Sequence, residues 1–218
     1  MPRMRKKKNM DRRLEACRPV FFDEPELNRG RWREVCGFDK CTQLMLELGC
    51  GKGKFVVGQA KRYPDRLFVA FEKEPTVILL AMENAIRNNC DNIFFVCADI
   101  ASLSEYFETD ETDIIFINFC DPWTRQNKPK RRLTHRSCLE VYKSILKNNG
   151  ELFFKTDSEM LFDFSLEELD LSGFQVLELT RDLHHSAFNE TNISTEFEEK
   201  YASENIPIKW LHASSQKD

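Results

Sequence analysis

Seven short apolar runs recur between residues 43 and 211, separated by stretches of helical spacing, and few folds accommodate that rhythm. The runs are Gln43–Leu48, Leu67–Phe71, Ile93–Cys97, Ile114–Phe119, Leu152–Phe154, Phe174–Leu179 and Ile208–Leu211. Such runs suit strands buried on both faces of a parallel sheet. Between them, Lys54–Arg62 follows a glycine turn, and Pro75–Asn88 opens with proline in its first turn. In the latter, Val77, Ile78, Ala81, Met82 and Ala85 share one apolar face. Cys138–Leu146, stopped by Asn149-Gly150, and Ser158–Leu169 complete the helical set. The alternation predicts an α/β fold, a Rossmann-like doubly wound, mostly parallel sheet with right-handed crossovers. Ligands in such sheets bind beyond the carboxyl ends of the strands, so the residues just after each run carry the functional reading.

Net charge of -4 and a pI near 5.7 argue against a generic nucleic-acid binder, but the charge is segregated. Arg3, Arg5, Lys6, Lys7, Lys8, Arg12 and Arg13 crowd the start, which reads as a flexible basic arm over residues 1 to about 16. Arg125, Lys128, Lys130, Arg131, Arg132 and Arg136 form a second cluster, while 151–199 is acidic. Each cluster suits local phosphate binding, and each equally suits a solvated tail or loop. Residues 17–218 read as one domain, with enough apolar content for its own core. The eight cysteines form no C-x-x-C pair and no Cys/His quartet, so no metal is expected, and free thiols in the cytoplasm are. No apolar run approaches the length of a membrane span, so no membrane partner is expected.

The first run ends Glu47-Leu48-Gly49-Cys50-Gly51-Lys52-Gly53 and opens a helix, the context of a nucleotide-binding turn. Its G-x-G-x-G spacing is neither the dinucleotide G-x-G-x-x-G nor a P-loop. Glu47 beside the turn would repel a pyrophosphate but favours S-adenosylmethionine, which carries an α-amino group and a sulfonium. Glu72 ends the second run, where an acid takes two ribose hydroxyls. Asp99 ends the third, where a carboxylate suits an adenine amino group. One such acid alone would read as a turn former or helix cap, but here three successive strand ends carry one.

The fourth run leads into Asn118-Phe119-Cys120-Asp121-Pro122-Trp123-Thr124-Arg125. A carboxylate beside an aromatic ring suits an unstacked base, and the basic stretch that follows suits its phosphates. F-x-D-P-W followed by basic residues ending in K-R-R resembles the bacterial tRNA (guanine-N7)-methyltransferases. The resemblance extends to E-L-G-C-G-K-G, the basic start Arg3-Met4-Arg5-Lys6-Lys7, the downstream F-x-T-D and Asp182-Leu183-His184-His185-Ser186. It ends with Thr195-Glu196-Phe197-Glu198, covering essentially the whole chain.

That resemblance implies a class I methyltransferase fold, S-adenosylmethionine as cofactor and tRNA as partner. It implies cofactor contacts at Glu47, Glu72, Asp99 and Asp121, with the glycines Gly49, Gly51 and Gly53 forming the turn. Substrate contacts are implied at Arg125, Asp157 and Thr195–Glu198. Cys120 stands where the family usually has proline, Arg125 where lysine is common, and Glu196 where lysine or arginine is frequent. Guanine N7 carries a lone pair and no proton, so no general base is needed, and Asp121 is the candidate catalytic carboxylate. His184 and His185 read as structural or RNA-adjacent. Asp121-Pro122-Trp123 also approaches the D-P-P-[YW] loop of exocyclic amino methylases, which leaves another base position as the alternative target. A nicotinamide oxidoreductase and an idle RNA-binding module fit the glycine spacing and the strand-end acids less well. The sequence leaves open whether the protein is a monomer or a homodimer.

Overall fold

A computed structural model describes residues 9–124 and 128–217. The chain runs α1 (Met10–Ala16), β1 (Phe21–Phe22), α2 (Trp32–Val35), β2 (Leu44–Leu48), α3 (Lys54–Arg62), β3 (Leu67–Phe71) and α4 (Pro75–Arg87). It continues through β4 (Ile93–Val96), α5 (Leu103–Tyr106), β5 (Thr112–Asn118), α6 (Arg136–Ile145) and β6 (Leu146–Thr156). Then come α7 (Glu159–Leu171), β7 (Phe174–Thr180), α8 (Glu196–Ser203) and β8 (Lys209–Ser215). The strands form one sheet in the order β1-β4-β3-β2-β5-β6-β8-β7. Among the described residues only β8 runs against its neighbours, paired antiparallel to β6 and β7.

Strand side chains alternate between faces, and the two faces meet different helices. Leu44, Leu46 and Leu48 join one core with Leu139 and Tyr142 of α6 and Phe162 of α7. Met45 points the other way, into a second core with Phe55 and Val56 of α3 and Ile78 and Met82 of α4. Burial on both faces is why β2, β3 and β4 read as unbroken apolar runs. From β2 the chain winds outward through β3 and β4, then returns across β2 to lay down β5 on its far side. The reversal opens a crevice between the ends of β2 and β5, the position where such sheets bind ligands.

Three expectations need correction. The basic arm was expected to reach about residue 16, but Met10–Ala16 is a helix held to the body. Arg13 donates to Glu83 of α4, and Met10 and Leu14, one helical turn apart, pack on the second core. Residues 1–8 of that arm lie outside the described residues. Asn149-Gly150 does not end a helix: α6 stops at Ile145, and Asn149, with φ of 58°, lies in the irregular start of β6. The last strand starts later than expected, at Lys209, and extends to Ser215.

Candidate active site

Glu47 ends β2 on the α3/α4 face, at the switch point, and is 3% exposed. Asn118, at the end of β5, donates from Nδ2 to Glu47 Oε1 at 3.0 Å, whereas the enclosed Oε2 has no partner. Burial pushes the Glu47 carboxyl up to about 7, against the Asn118 bond that favours its charge. A buried carboxyl with one oxygen unmet is a costly arrangement until a donor reaches it.

The glycine turn lies directly above. The N–H groups of Gly49 and Cys50 both donate to Phe71 O, at 2.8 and 2.9 Å, which folds the turn across the end of β3. Gly49 and Gly51 take φ of 84° and 57°, and a Cβ on either would project into open space. At Gly53 a Cβ would fall 2.9 Å from Ala81 Cβ, so that position lets α3 start hard against α4. Glu72, half-buried at the end of β3, accepts from Gly51 N–H at 3.3 Å and from Glu74 N–H at 3.0 Å. A carboxylate has lone pairs beyond those two. Asp99 is exposed and accepts from Ala101 N–H at 3.0 Å, capping the 3-10 turn Ile100–Ser102. The turn is thus ringed by acids from β2, β3 and β4 and is open above Gly49 and Gly51. That set of acceptors fits a nucleoside bearing positive charge.

Beyond β5 the backbone turns sharply: Phe119 has φ of 54° and Trp123 φ of 41°. Trp123 N–H donates to Asp121 Oδ1 at 2.9 Å, leaving the exposed carboxylate its other oxygen. Arg131 lies 4.7 Å from the Trp123 ring centroid, so one face of the expected base platform carries a guanidinium. Arg132 is 8% exposed and donates to the carbonyls of Pro122 and Trp123 at 3.0 and 3.3 Å. Arg136 pairs with Glu168 at 2.8 Å. Two of the six cations in the second cluster therefore build the fold. Arg125 lies outside the described residues.

The segment from Leu183 to Ser203 crosses above the sheet end. Thr195 is buried and caps α8, accepting from Glu198 N–H at 2.9 Å. Glu198 is turned fully inward, where Lys155 of β6 donates to it at 3.0 Å. His184 Nε2 lies 2.9 Å from its other oxygen, which Asn192 also reaches. Burial opposes the Glu198 charge, but Lys155, His184 and Asn192 together hold its carboxyl below the usual range. Two side chains expected at the substrate therefore face the interior, while Glu196 is half-buried and Phe197 exposed. Phe119 stacks on Phe197 and Tyr201, with centroids 6.3 and 5.9 Å apart. Asp157, half-buried after β6, is close enough for its charge to raise the Tyr201 hydroxyl, which burial raises more. Its carbonyl accepts from Lys209 at 3.0 Å.

Asn118, Lys155, Phe119 and Tyr201 were not singled out in the sequence. Tyr201 was within reach, because it follows Phe197 by four residues and shares its helix face. Among the described residues no helix is long and apolar enough to cross a membrane.

The chain is similar to known proteins along most of its length. A family model described as a putative methyltransferase matches residues 42–211. The tRNA (guanine-N(7)-)-methyltransferase of Pediococcus pentosaceus is 39% identical over 92% of this chain and 93% of its own. The same enzyme of Clostridioides difficile is 38% identical over 95% and 96%. In three dimensions the chain is similar to an antibiotic-related methyltransferase, with TM-score 0.64 and 15% identity over 86% of this chain and 94% of that one, a likeness of fold. With sequence relatives matched along nearly its whole length, the chain belongs to the tRNA (guanine-N7)-methyltransferase family.

Proposed function

We propose that this protein transfers the methyl group of S-adenosylmethionine to N7 of the variable-loop guanosine of tRNA. One convergence carries the reading: a buried carboxyl with an unmet oxygen, an open glycine turn and the Asp121-Pro122-Trp123 turn meet at the β2/β5 switch point. Glu47 takes the α-amino group, Glu72 the ribose hydroxyls and Asp99 the adenine amino group, over a backbone turn built on Gly49, Gly51 and Gly53. When bound, the cofactor supplies a sulfonium methyl group that guanine N7 takes with its in-plane lone pair. Asp121 borders both sites and balances the positive charge that develops on the base. Alignment of the two reactants supplies much of the acceleration, so the protein's work is mostly positioning.

Arg125 meets phosphate, and Asp157 seats the guanosine beside the Phe119–Tyr201 stack. Thr195 and Glu198 serve the substrate indirectly, by fixing the first turn of α8, which carries Phe197 at the rim. The free cysteines suit a reducing cytoplasm. The test is incubation with methyl-labelled S-adenosylmethionine and unmodified tRNA, followed by nucleoside mapping. Label in 7-methylguanosine is expected. Label on an exocyclic amino group, or none on tRNA, would overturn the reading.

A further inference from the structure

The family resemblance implies a basic residue where this chain has Glu196, and a carboxylate facing tRNA phosphates would weaken binding. The fold gives it a different neighbourhood. Thr195 and Glu198 fix the first turn of α8 from below, and Phe197 fixes it from the side against Phe119. Glu199 pairs with Lys54, the first residue of α3, where the glycine turn ends. Ile193 seats so closely on α3 that a Cβ on Gly58 would fall 2.6 Å from its Cγ2. The turn that carries Glu196 is therefore clamped against the start of α3, on the cofactor side of the crevice.

Charge in this corner is unbalanced. The Glu196 carboxylate adds to the burial that raises both the Glu47 carboxyl and the Cys50 thiol. Two cations of this corner are committed elsewhere, Lys155 to Glu198 and Lys54 to Glu199. Glu47 Oε2, enclosed and without a donor, lies in the same corner. The Lys155 charge is felt at Glu47, but its hydrogen bonds go to Glu198, Asn192 and the Ile193 carbonyl.

We propose that Glu196 faces the cofactor, its carboxylate joining Glu47 to hold the α-ammonium group of S-adenosylmethionine. The inference rests on the reading of the glycine turn as the cofactor site. An ammonium has three donors, so it can serve Glu47 Oε2 and Glu196 together. The ribose end is assigned to Glu72, on the opposite side of the turn, which leaves the amino-acid end for this corner. Glu196 is thus a specificity residue for the cationic tail of the cofactor.

Calorimetry with two ligands tests this on the full-length protein. S-adenosylhomocysteine keeps the α-ammonium group, and 5′-methylthioadenosine lacks the whole amino-acid tail. Glu196→Gln should weaken S-adenosylhomocysteine about tenfold, the size of one charge-assisted hydrogen bond, and Glu196→Lys should weaken it further. Both variants should bind 5′-methylthioadenosine as the wild type does, which also reports an intact fold. Filter binding of tRNA by Glu196→Gln should be unchanged. Unaltered S-adenosylhomocysteine affinity in Glu196→Gln, or an equal loss for both ligands, would overturn the assignment. Failure of the wild type to bind S-adenosylhomocysteine would instead remove the cofactor reading beneath it.

Discussion

Glu47 sets stability against binding within one side chain. Its carboxyl ionises near 4.5 when unfolded but only at about 7 in the fold, chiefly because burial disfavours the charge. Between those values the native state binds the extra proton, so stability falls as pH rises from 4.5 through 7. The whole swing is at most about 3 kcal/mol. Glu47→Gln should remove it, raising the urea midpoint at pH 8 relative to wild type while leaving pH 5 nearly unchanged. The same substitution should weaken S-adenosylmethionine at least roughly tenfold by calorimetry. In the wild type, cofactor affinity should rise from pH 6 to 8 as the carboxylate forms. Asp121, by contrast, is exposed. Asp121→Ala should lower kcat on unmodified tRNA by about 100-fold, the scale of one lost electrostatic partner, with the melting temperature within a degree or two. A full methylation rate in that variant would exclude its assigned role.

At the scale of elements, a buried ion pair anchors the strap from Leu183 to Ser203. Lys155 and Glu198 have side chains 5% and 1% exposed. Lys155→Met would leave Glu198 enclosed without its ammonium partner, and breaking such a pair costs about 3–5 kcal/mol. Urea unfolding should show that loss, and Glu198→Gln, which keeps hydrogen-bonding capacity, should lose less. The hub also marks where the sequence stops being informative. Helix α3 could be read to the residue because a glycine turn starts it and a break in pattern ends it. The three strand-end acids were equally plain, since each follows an apolar run directly. Glu198 and Glu196, by contrast, sit in one acidic stretch and look alike. Only Lys155, 43 residues earlier on another strand, decides which of them points inward. The insertion of β8 between β6 and β7 was hidden for the same reason, because its partners are fixed by pairing and not by local pattern. In α1 the dense basic residues masked the Met10/Leu14 spacing that docks the helix.

Across the whole molecule, charge is divided by function. Arg13, Arg132 and Arg136 are bound into the fold, which leaves the remaining cations for the proposed RNA-facing role. Deleting residues 2–8 removes Arg3, Arg5, Lys6, Lys7 and Lys8 while leaving the Arg13–Glu83 pair in place. tRNA affinity should fall, and the log–log salt slope should flatten by about 0.7–0.9 for each phosphate no longer neutralised. Cofactor affinity should not change, and an unaltered slope would exclude phosphate tracking by this segment. The proposed cofactor site draws on β2, β3, β4, the turn after β5 and the strap, parts that meet only once the sheet is fully wound. An incompletely folded chain therefore offers S-adenosylmethionine nothing to bind, and mass action couples nutrient supply to survival of the enzyme. At a hundred times its dissociation constant the cofactor adds about 2.7 kcal/mol to the native state. Resistance to a protease that attacks the unfolded chain should track the concentration of the methyl donor, so starvation for it would thin the enzyme population as well as idle it.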